Sequence, residues 1–191
     1  MTLLHTYTSD IEQVSIDECY LFYTPISYRF PSPEAAARQI ADEVRNTLGF
    51  TVNVGIAENK LLAKMASDFE KPDRVHTLYR DEIPVKMWPL SVHELFMVGR
   101  KSASRLEELG IHTIGELAHS DRAFLQTHFK SHGILMWEYA NGIDHSAVHS
   151  DTTKAKCIGN STTLASDVST RSEAFEVLLS LSEEVAARLR K

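Results

Sequence analysis

Two adjacent carboxylates, Asp17 and Glu18, sit inside Val14-Ser-Ile-Asp-Glu-Cys-Tyr-Leu21, a run rich in apolar and strand-forming residues. Carboxylates are costly to bury, so an acidic pair there needs a cation, a hydrogen-bond network or solvent. Mg²⁺ suits such a pair. It takes oxygen ligands, usually one or two carboxylates completed by substrate phosphates and water. Two such ions can activate a hydroxyl nucleophile and stabilise the leaving oxygen in phosphoryl transfer. Neighbouring residues of a regular strand point to opposite faces. Both side chains therefore reach one metal site only at a bend, a bulge or a hairpin apex. A solvent-facing acidic turn is the competing reading of the dipeptide by itself.

The second group is cationic. In Gly55-Ile-Ala-Glu-Asn-Lys-Leu-Leu-Ala-Lys-Met-Ala-Ser-Asp-Phe-Glu-Lys-Pro72, helical spacing puts Lys60 and Lys64 about 40° apart, and Lys71 about 20° from Lys60. Leu62, Ala66 and Phe69 fall on another side, free to pack. A phosphate-binding helix has this pattern, and so does any solvated amphipathic helix. The third group is Arg100, Lys101 and Arg105, which follow Gly99 and precede any acid of that stretch. A glycine turn ahead of a helix N-terminus exposes backbone N–H groups that favour phosphate. An ordinary corner between two helices ending in Gly110 is the alternative.

These residues need elements to hold them. Glu12 to Thr24 reads as a strand or hairpin. Ser32 is a helix cap, Ala37 to Leu48 recur at helical spacing, and Gly49 ends that helix. Thr51 to Ile56 alternates as a strand, Asn59 to Phe69 is helical, and Val75 to Tyr79 is a short strand. This β-α-β-α-β order predicts a sheet domain over residues 1–79. From residue 80 the strands give way to short helices near 81–87, 91–95, 102–109, 113–118, 121–129 and 131–140. They form a small helical domain ending near residue 150, with Asn141 to Asp151 reading as a linker. Lys156 to Leu164 reads as a strand and the stretch from Arg171 as an amphipathic helix. One strand and one helix are too little to close a core, so residues 151–191 form an incomplete unit.

The chain has 191 residues, a net charge of −6 and two cysteines, Cys19 and Cys157. Two cysteines are no disulfide framework and point to a reducing, cytoplasmic setting. No apolar run approaches the length of a membrane span. The surplus of acid lies within residues 1–98. Taken alone, the sign argues against a protein that coats nucleic acid through overall charge. Zinc is set aside because the histidine pairs have neither paired cysteines nor an HExxH motif beside them.

Val14 to Leu21 resembles the palm motif of Y-family (translesion, DinB/UmuC-like) DNA polymerases, and Gly55 to Pro72 resembles the same family's block running from a Val-Gly-Ile strand to Lys-Pro. Val98 to Ile111 resembles its helix–hairpin–helix thumb element. Gly133, Trp137, Asn141, Gly142 and Asp144 continue the likeness, with Trp137 reading as a core residue. Lys156 to Thr163 resembles the opening of the little-finger domain. The resemblance implies an α+β chain: a partial palm sheet with flanking helices (1–79), a helical thumb (80–150) and the start of a little finger (151–191). It implies Asp17 and Glu18 as catalytic metal ligands, with two Mg²⁺ ions in the complete enzyme. Lys71, with Lys60, is implied to meet the triphosphate of a deoxynucleotide. Gly99, Arg100, Lys101, Arg105, Ser161 and Thr162 are implied to meet primer-template DNA, with Lys154 and Lys156 nearby. A sliding clamp is an implied partner of the full-length protein, and a membrane is not.

There are two departures from the family pattern. Phe22 stands where many members have aspartate, outside the acidic pair. Met97 stands where the hairpin usually has its first glycine, while Gly99 keeps the second. Polymerases of this type also begin with a strand bearing a further aspartate, a steric gate and fingers. None of these precedes Met1, so the isolated chain is expected to be inactive. The alternative from another class is a non-catalytic DNA-binding or repair module using the helix–hairpin–helix. An unrelated metal-dependent phosphotransferase would leave the helical half unexplained.

Overall fold

The computed structural model describes residues 1–150 and 157–190 and divides the chain into two compact units, Met1–Ser150 and Asp151–Lys191. Both helices and short strands are present, an α+β chain. Strands β1 (Ile11–Gln13) and β2 (Cys19–Leu21) form an antiparallel hairpin in which Glu12 faces Tyr20. Helix α1 (Pro33–Leu48) starts as the sequence predicts. The Ser32 side chain accepts from the Ala35 N–H, and Gly49 closes the helix at φ 76°. Its buried side chains are Ala36, Ala37, Ala41 and Val44, the apolar stripe of an amphipathic helix.

Strands β3 (Val54–Ile56) and β4 (Val75–Thr77) run parallel, with Gly55 opposite His76. Parallel neighbours need a crossover, and α2 (Lys60–Asp68) supplies it. The strands therefore form two separate two-stranded ladders. The single sheet suggested by the β-α-β-α-β order is absent among the described residues, because no ladder joins the hairpin to β3 or β4.

Six further helices follow: α3 (Ile83–Lys86), α4 (Arg100–Glu108), α5 (Ile114–Ala118), α6 (Arg122–Phe129), α7 (Ser131–Ala140) and α8 (Arg171–Leu189). A continuous apolar cluster runs from Leu62 and Met65 of α2 through Leu106 of α4 and Leu117 of α5 to Met136 of α7. Trp137 packs against this cluster, half-buried, with Arg122 over its ring. Residues 143–150 lack regular structure but are tied down. Asp144 accepts from the Leu61 N–H at 3.1 Å, Asn59 donates to the Gly142 carbonyl at 2.9 Å, and Glu12 accepts from the His149 N–H at 2.9 Å. The α2 N-terminus is thus capped twice, by Asn59 on the Leu62 N–H and by Asp144 from 83 residues away.

The second unit departs from expectation in one respect. Residues 157–164 form no strand. A strand requires a ladder partner, and none exists for them among the described residues. Side chains of α8 hold this segment instead: Arg188 donates to the Gly159 carbonyl and Asn160 donates to Glu184. Helix α8 itself begins on a Thr170–Glu173 capping box and buries no side chain. Lys154 and Lys156 lie outside the described residues. Among those described, no helix is long and apolar enough to cross a membrane.

The turn before α4 holds one strained residue. Met97 adopts φ 68°, and the turn closes with the Val98 N–H on the Leu95 carbonyl at 3.0 Å. Left-handed backbone costs an L-residue roughly 1–2 kcal/mol, and glycine escapes most of that at an entropic cost of roughly 0.5–1 kcal/mol. The Met97 side chain is 58% exposed, so little packing is lost with it. Met97→Gly is therefore expected to stabilise the chain by about 0.5–1 kcal/mol, a rise of roughly 1–4 °C in a thermal melt. An unchanged or lower midpoint would count against strain at this turn.

Candidate active site and nucleic-acid interface

The hairpin resolves the geometric problem of adjacent carboxylates. Asp17 and Glu18 lie on the loop between β1 and β2, where the alternation of a strand no longer applies. Ser15 organises that loop. Its Oγ accepts from the Glu18 N–H at 3.1 Å and donates to Asp17 Oδ1 at 2.6 Å. The Val14 N–H donates to the Glu18 carbonyl at 3.0 Å and closes the turn. The Ser15 hydroxyl, backed by the Asp17 backbone N–H, holds the Asp17 carboxyl below its ordinary range. The apex stands in solvent, with Ile16 beside the pair 97% exposed. Neither carboxylate then carries a burial cost.

Helix α2 faces the hairpin with its lysines engaged. Lys60 pairs with both oxygens of Glu12, at 3.0 and 2.9 Å, and lies over the Tyr20 ring. Lys64 reaches Glu18 Oε1 at 2.5 Å and Asp68 Oδ2 at 3.2 Å. Lys71 pairs with Asp68 Oδ1 at 2.7 Å and is 61% exposed. The helical wheel treats these lysines as an unpartnered stripe. The hairpin, lying across the helix, supplies carboxylates to Lys60 and Lys64, and Asp68 of α2 itself pairs with Lys64 and Lys71. Burial lowers the proton affinity of Lys64, but its hydrogen bonds to Glu18 and Asp68 outweigh this and leave it above an ordinary lysine. Burial raises Asp68, and the two lysines more than reverse that.

Asp17 and Glu18 offer hard, exposed carboxylate oxygens from consecutive residues, a donor set that fits a Mg²⁺ ion completed by phosphate and water. No group of three or more His, Cys, Asp or Glu side chains with metal-binding geometry occurs among the described residues.

The helical half carries its cations at one end of α4. Gly99 is the N-cap residue and has no side chain to cap with, and Arg100 and Lys101 are exposed. Arg105, one turn further, pairs with Glu108 at 2.6 Å. Ser161 and Thr162 are exposed in the second unit. Phe22 is also exposed, and its N–H donates to the Asp10 carbonyl at 2.9 Å, extending the hairpin by one bond. Sequence reading did not single out Ser15, Glu12 or Asp68. Ser15 had a local signal, a serine two residues before an acid, which forms such turns, and Asp68 had one in its spacing of four and three residues from Lys64 and Lys71. Glu12 takes its place through Lys60 and His149, on other segments.

The chain thus combines a paired-carboxylate hairpin against α2 with a helical domain that carries a basic helix end. The solved structure of DinB from Sulfolobus solfataricus matches 78% of this chain at a TM-score of 0.70 and 28% identity, over 45% of its own length. A Y-family polymerase chimera matches at a TM-score of 0.69 and 29% identity, covering 78% of this chain and 44% of the chimera. Sequence models of the impB/mucB/samB family and of its C-terminal domain match residues 1–68 and 155–191. The chain is 50% identical over 190 residues to DNA polymerase IV of Clostridium acetobutylicum, covering 100% of this chain and 48% of that relative. DNA polymerase IV 1 of Bacillus subtilis is 40% identical over 191 residues, with 100% of this chain and 46% of that relative covered. The chain belongs to the impB/mucB/samB family, the DinB-like Y-family DNA polymerases. It spans about half the length of the curated relatives it matches.

Proposed function

We propose that this chain is the palm-and-thumb part of a translesion DNA-directed DNA polymerase, with residues 1–79, 80–150 and 151–191 as partial palm, thumb and start of the little finger. The observation that carries the reading is the Ser15-organised apex, which offers two consecutive, exposed carboxylates beside the lysines of α2.

Asp17 and Glu18 would hold divalent metal. Mg²⁺ bound there supplies charge neutralisation of a triphosphate and activation of a primer hydroxyl. The chain's own contribution is positional. Ser15 fixes the apex, so that Asp17 is anionic and oriented before substrate arrives. Lys71, exposed three residues beyond α2, would meet a phosphate as a point charge on a flexible stem. Lys60 holds Glu12 and thereby the hairpin, and we assign it a supporting part in the triphosphate site. Gly99 leaves the α4 N-terminus open to a DNA phosphate. Arg100 and Lys101 flank that opening, and Arg105, Ser161 and Thr162 add backbone contacts. Such contacts place the duplex without reading its sequence. A sliding clamp would be a partner of the longer protein.

Primer extension tests the catalytic reading. This chain replaces the matching half of the Clostridium acetobutylicum relative, and the chimaera is given Mg²⁺, primer-template and four deoxynucleotides. Template-directed extension is expected from the chimaera and not from the 191-residue chain alone. A second reading, a non-catalytic DNA-binding module, is favoured by the uncapped α4 end. It predicts DNA binding with no extension in either form. Both readings require the basic helix end. Lys101→Ala should weaken duplex binding evenly across sequences and lower the slope of log affinity against log salt by about 1. Fluorescence anisotropy across a salt series reads this, and an unchanged slope removes Lys101 from the interface.

A further inference from the structure

The two lysines at the end of α2 share one carboxylate. Lys71 holds Asp68 Oδ1 at 2.7 Å and Lys64 holds Asp68 Oδ2 at 3.2 Å, while Lys64 also holds Glu18 at 2.5 Å. The result is an unbroken line of alternating charge, Glu18–Lys64–Asp68–Lys71. One end is a carboxylate offered to metal and the other a cation offered to phosphate. The middle is the constrained part, since the Lys64 side chain is 18% exposed against 61% for Lys71. As drawn, both ends are occupied by the protein itself. Lys64 stands on Glu18 as a cation of the chain's own, and Asp68 stands on Lys71 as an anion of its own.

A divalent ion arriving at Glu18 competes with the Lys64 ammonium for the same oxygen. Like charges that close repel, and Lys64 has one other anion already in contact, Asp68. Moving wholly onto Asp68, it neutralises that carboxylate and loosens its hold on Lys71. The exposed Lys71 stem is then free to take phosphate. Resting on the polymerase reading above, we propose that Lys64 and Asp68 are positioning residues that couple metal binding at the hairpin to triphosphate capture by Lys71. Coupling of this kind is reciprocal, so phosphate on Lys71 also favours metal at Glu18.

The relay makes opposed predictions for its two middle members. Asp68→Asn releases Lys71 permanently, so affinity for triphosphate without metal rises. Lys64→Met leaves Asp68 to Lys71 alone, so that affinity falls. Each variant removes the extra affinity that metal confers through the relay. Solvent-exposed pairs of this kind are worth little, so each effect is expected to be about two- to fivefold.

The test uses the 191-residue chain and inorganic tripolyphosphate, titrated calorimetrically in chelator and in saturating Mg²⁺. Circular dichroism checks that each variant folds. Expected are tighter metal-free binding by Asp68→Asn, weaker metal-free binding by Lys64→Met, and a smaller Mg²⁺-dependent gain in both. Lys64→Arg, which keeps a cation between the two carboxylates, should restore the wild-type gain. Folded variants that keep wild-type affinity and gain overturn the relay. So does a shift of the same sign in both, which is what general loosening of α2 would produce. Lys71→Ala separates this failure from that of the underlying reading: if it leaves tripolyphosphate binding unchanged, Lys71 is no phosphate ligand, and the polymerase assignment of that residue falls with the relay.

Discussion

Asp17→Ala in the extension-competent chimaera is expected to lower primer extension by on the order of 10³-fold, while duplex affinity changes by less than about twofold. The expectation follows from where Asp17 stands. It lies at the exposed apex, and among the described residues its one side-chain hydrogen-bond partner is Ser15. Truncation therefore removes an anionic oxygen without opening a cavity or orphaning a buried group, so the fold should not suffer. On the proposed reading, DNA affinity would rest on α4, on elements that do not include the apex. What is lost is charge that organises metal and phosphate in the reacting complex, where a single preorganised group is typically worth 10²–10³-fold or more. Asp17→Asn is the sharper variant. It keeps the shape and the Ser15 contact yet removes the charge, and should cost nearly as much as alanine. Ser15→Ala should cost less, about 10-fold, because it loosens the apex without removing a ligand. Single-turnover extension and anisotropy on the same preparations separate the two properties. Equal losses of extension and of DNA binding would mean that Asp17 supports the fold and not the chemistry.

Gly55→Ala has the largest expected effect on stability. Gly55 lies in the middle of β3, opposite His76 of β4, where α2 crosses the ladder. A Cβ built there would fall 1.9 Å from the Ala63 carbonyl oxygen and 2.6 Å from the Ser67 nitrogen. Both are backbone atoms of a helix whose other face carries Leu61, Leu62, Met65 and Ala66 into the core. No rotamer change relieves such a clash. Strand and helix must separate, and the shared cluster spanning α2 to α7 must open with them. Overpacking a core commonly costs about 1–3 kcal/mol, and more where backbone has to move. A loss of about 3–5 kcal/mol is expected, a large fraction of the roughly 5–15 kcal/mol that holds an ordinary domain folded. Urea unfolding followed by the fluorescence of Trp88 and Trp137 measures it. A loss below about 1 kcal/mol would show that α2 can move off the strand without penalty.

The same two positions divide what the sequence determined from what only the fold decided. The acidic pair and the requirement that it sit at a bend were legible, because alternation along a strand is a local rule. So were the Ser32 cap of α1, a helix from Asn59, the Gly49 stop and the run of short helices after residue 80. Each follows from residues within one turn of the boundary. The α+β class and the family resemblance also came from such local strings. The run from Lys156 to Leu164 read as a strand for the same reason, and no partner for its described part, 157–164, lies among the described residues. Strand propensity is a local property, whereas a ladder is a pairing with another segment.

The tertiary structure decided everything that depends on two distant segments meeting. It set Glu18 against Lys64 and Glu12 against Lys60, and so turned a helical stripe of cations into bridges to the hairpin. It brought Asp144 to the α2 N-terminus across 83 residues. It held Met97 in a left-handed turn that the sequence, by placing methionine where glycine is usual, disfavoured. It gave Gly55 its role, since the atoms that exclude a side chain there belong to another element. Charge behaved in the same way. The total of −6 is a sum over the sequence, but what a phosphate or a metal ion meets is the local field, which falls off within a Debye length of about 8–10 Å. That field is set by which side chains the fold places side by side, and it is anionic at the hairpin apex and cationic at the start of α4.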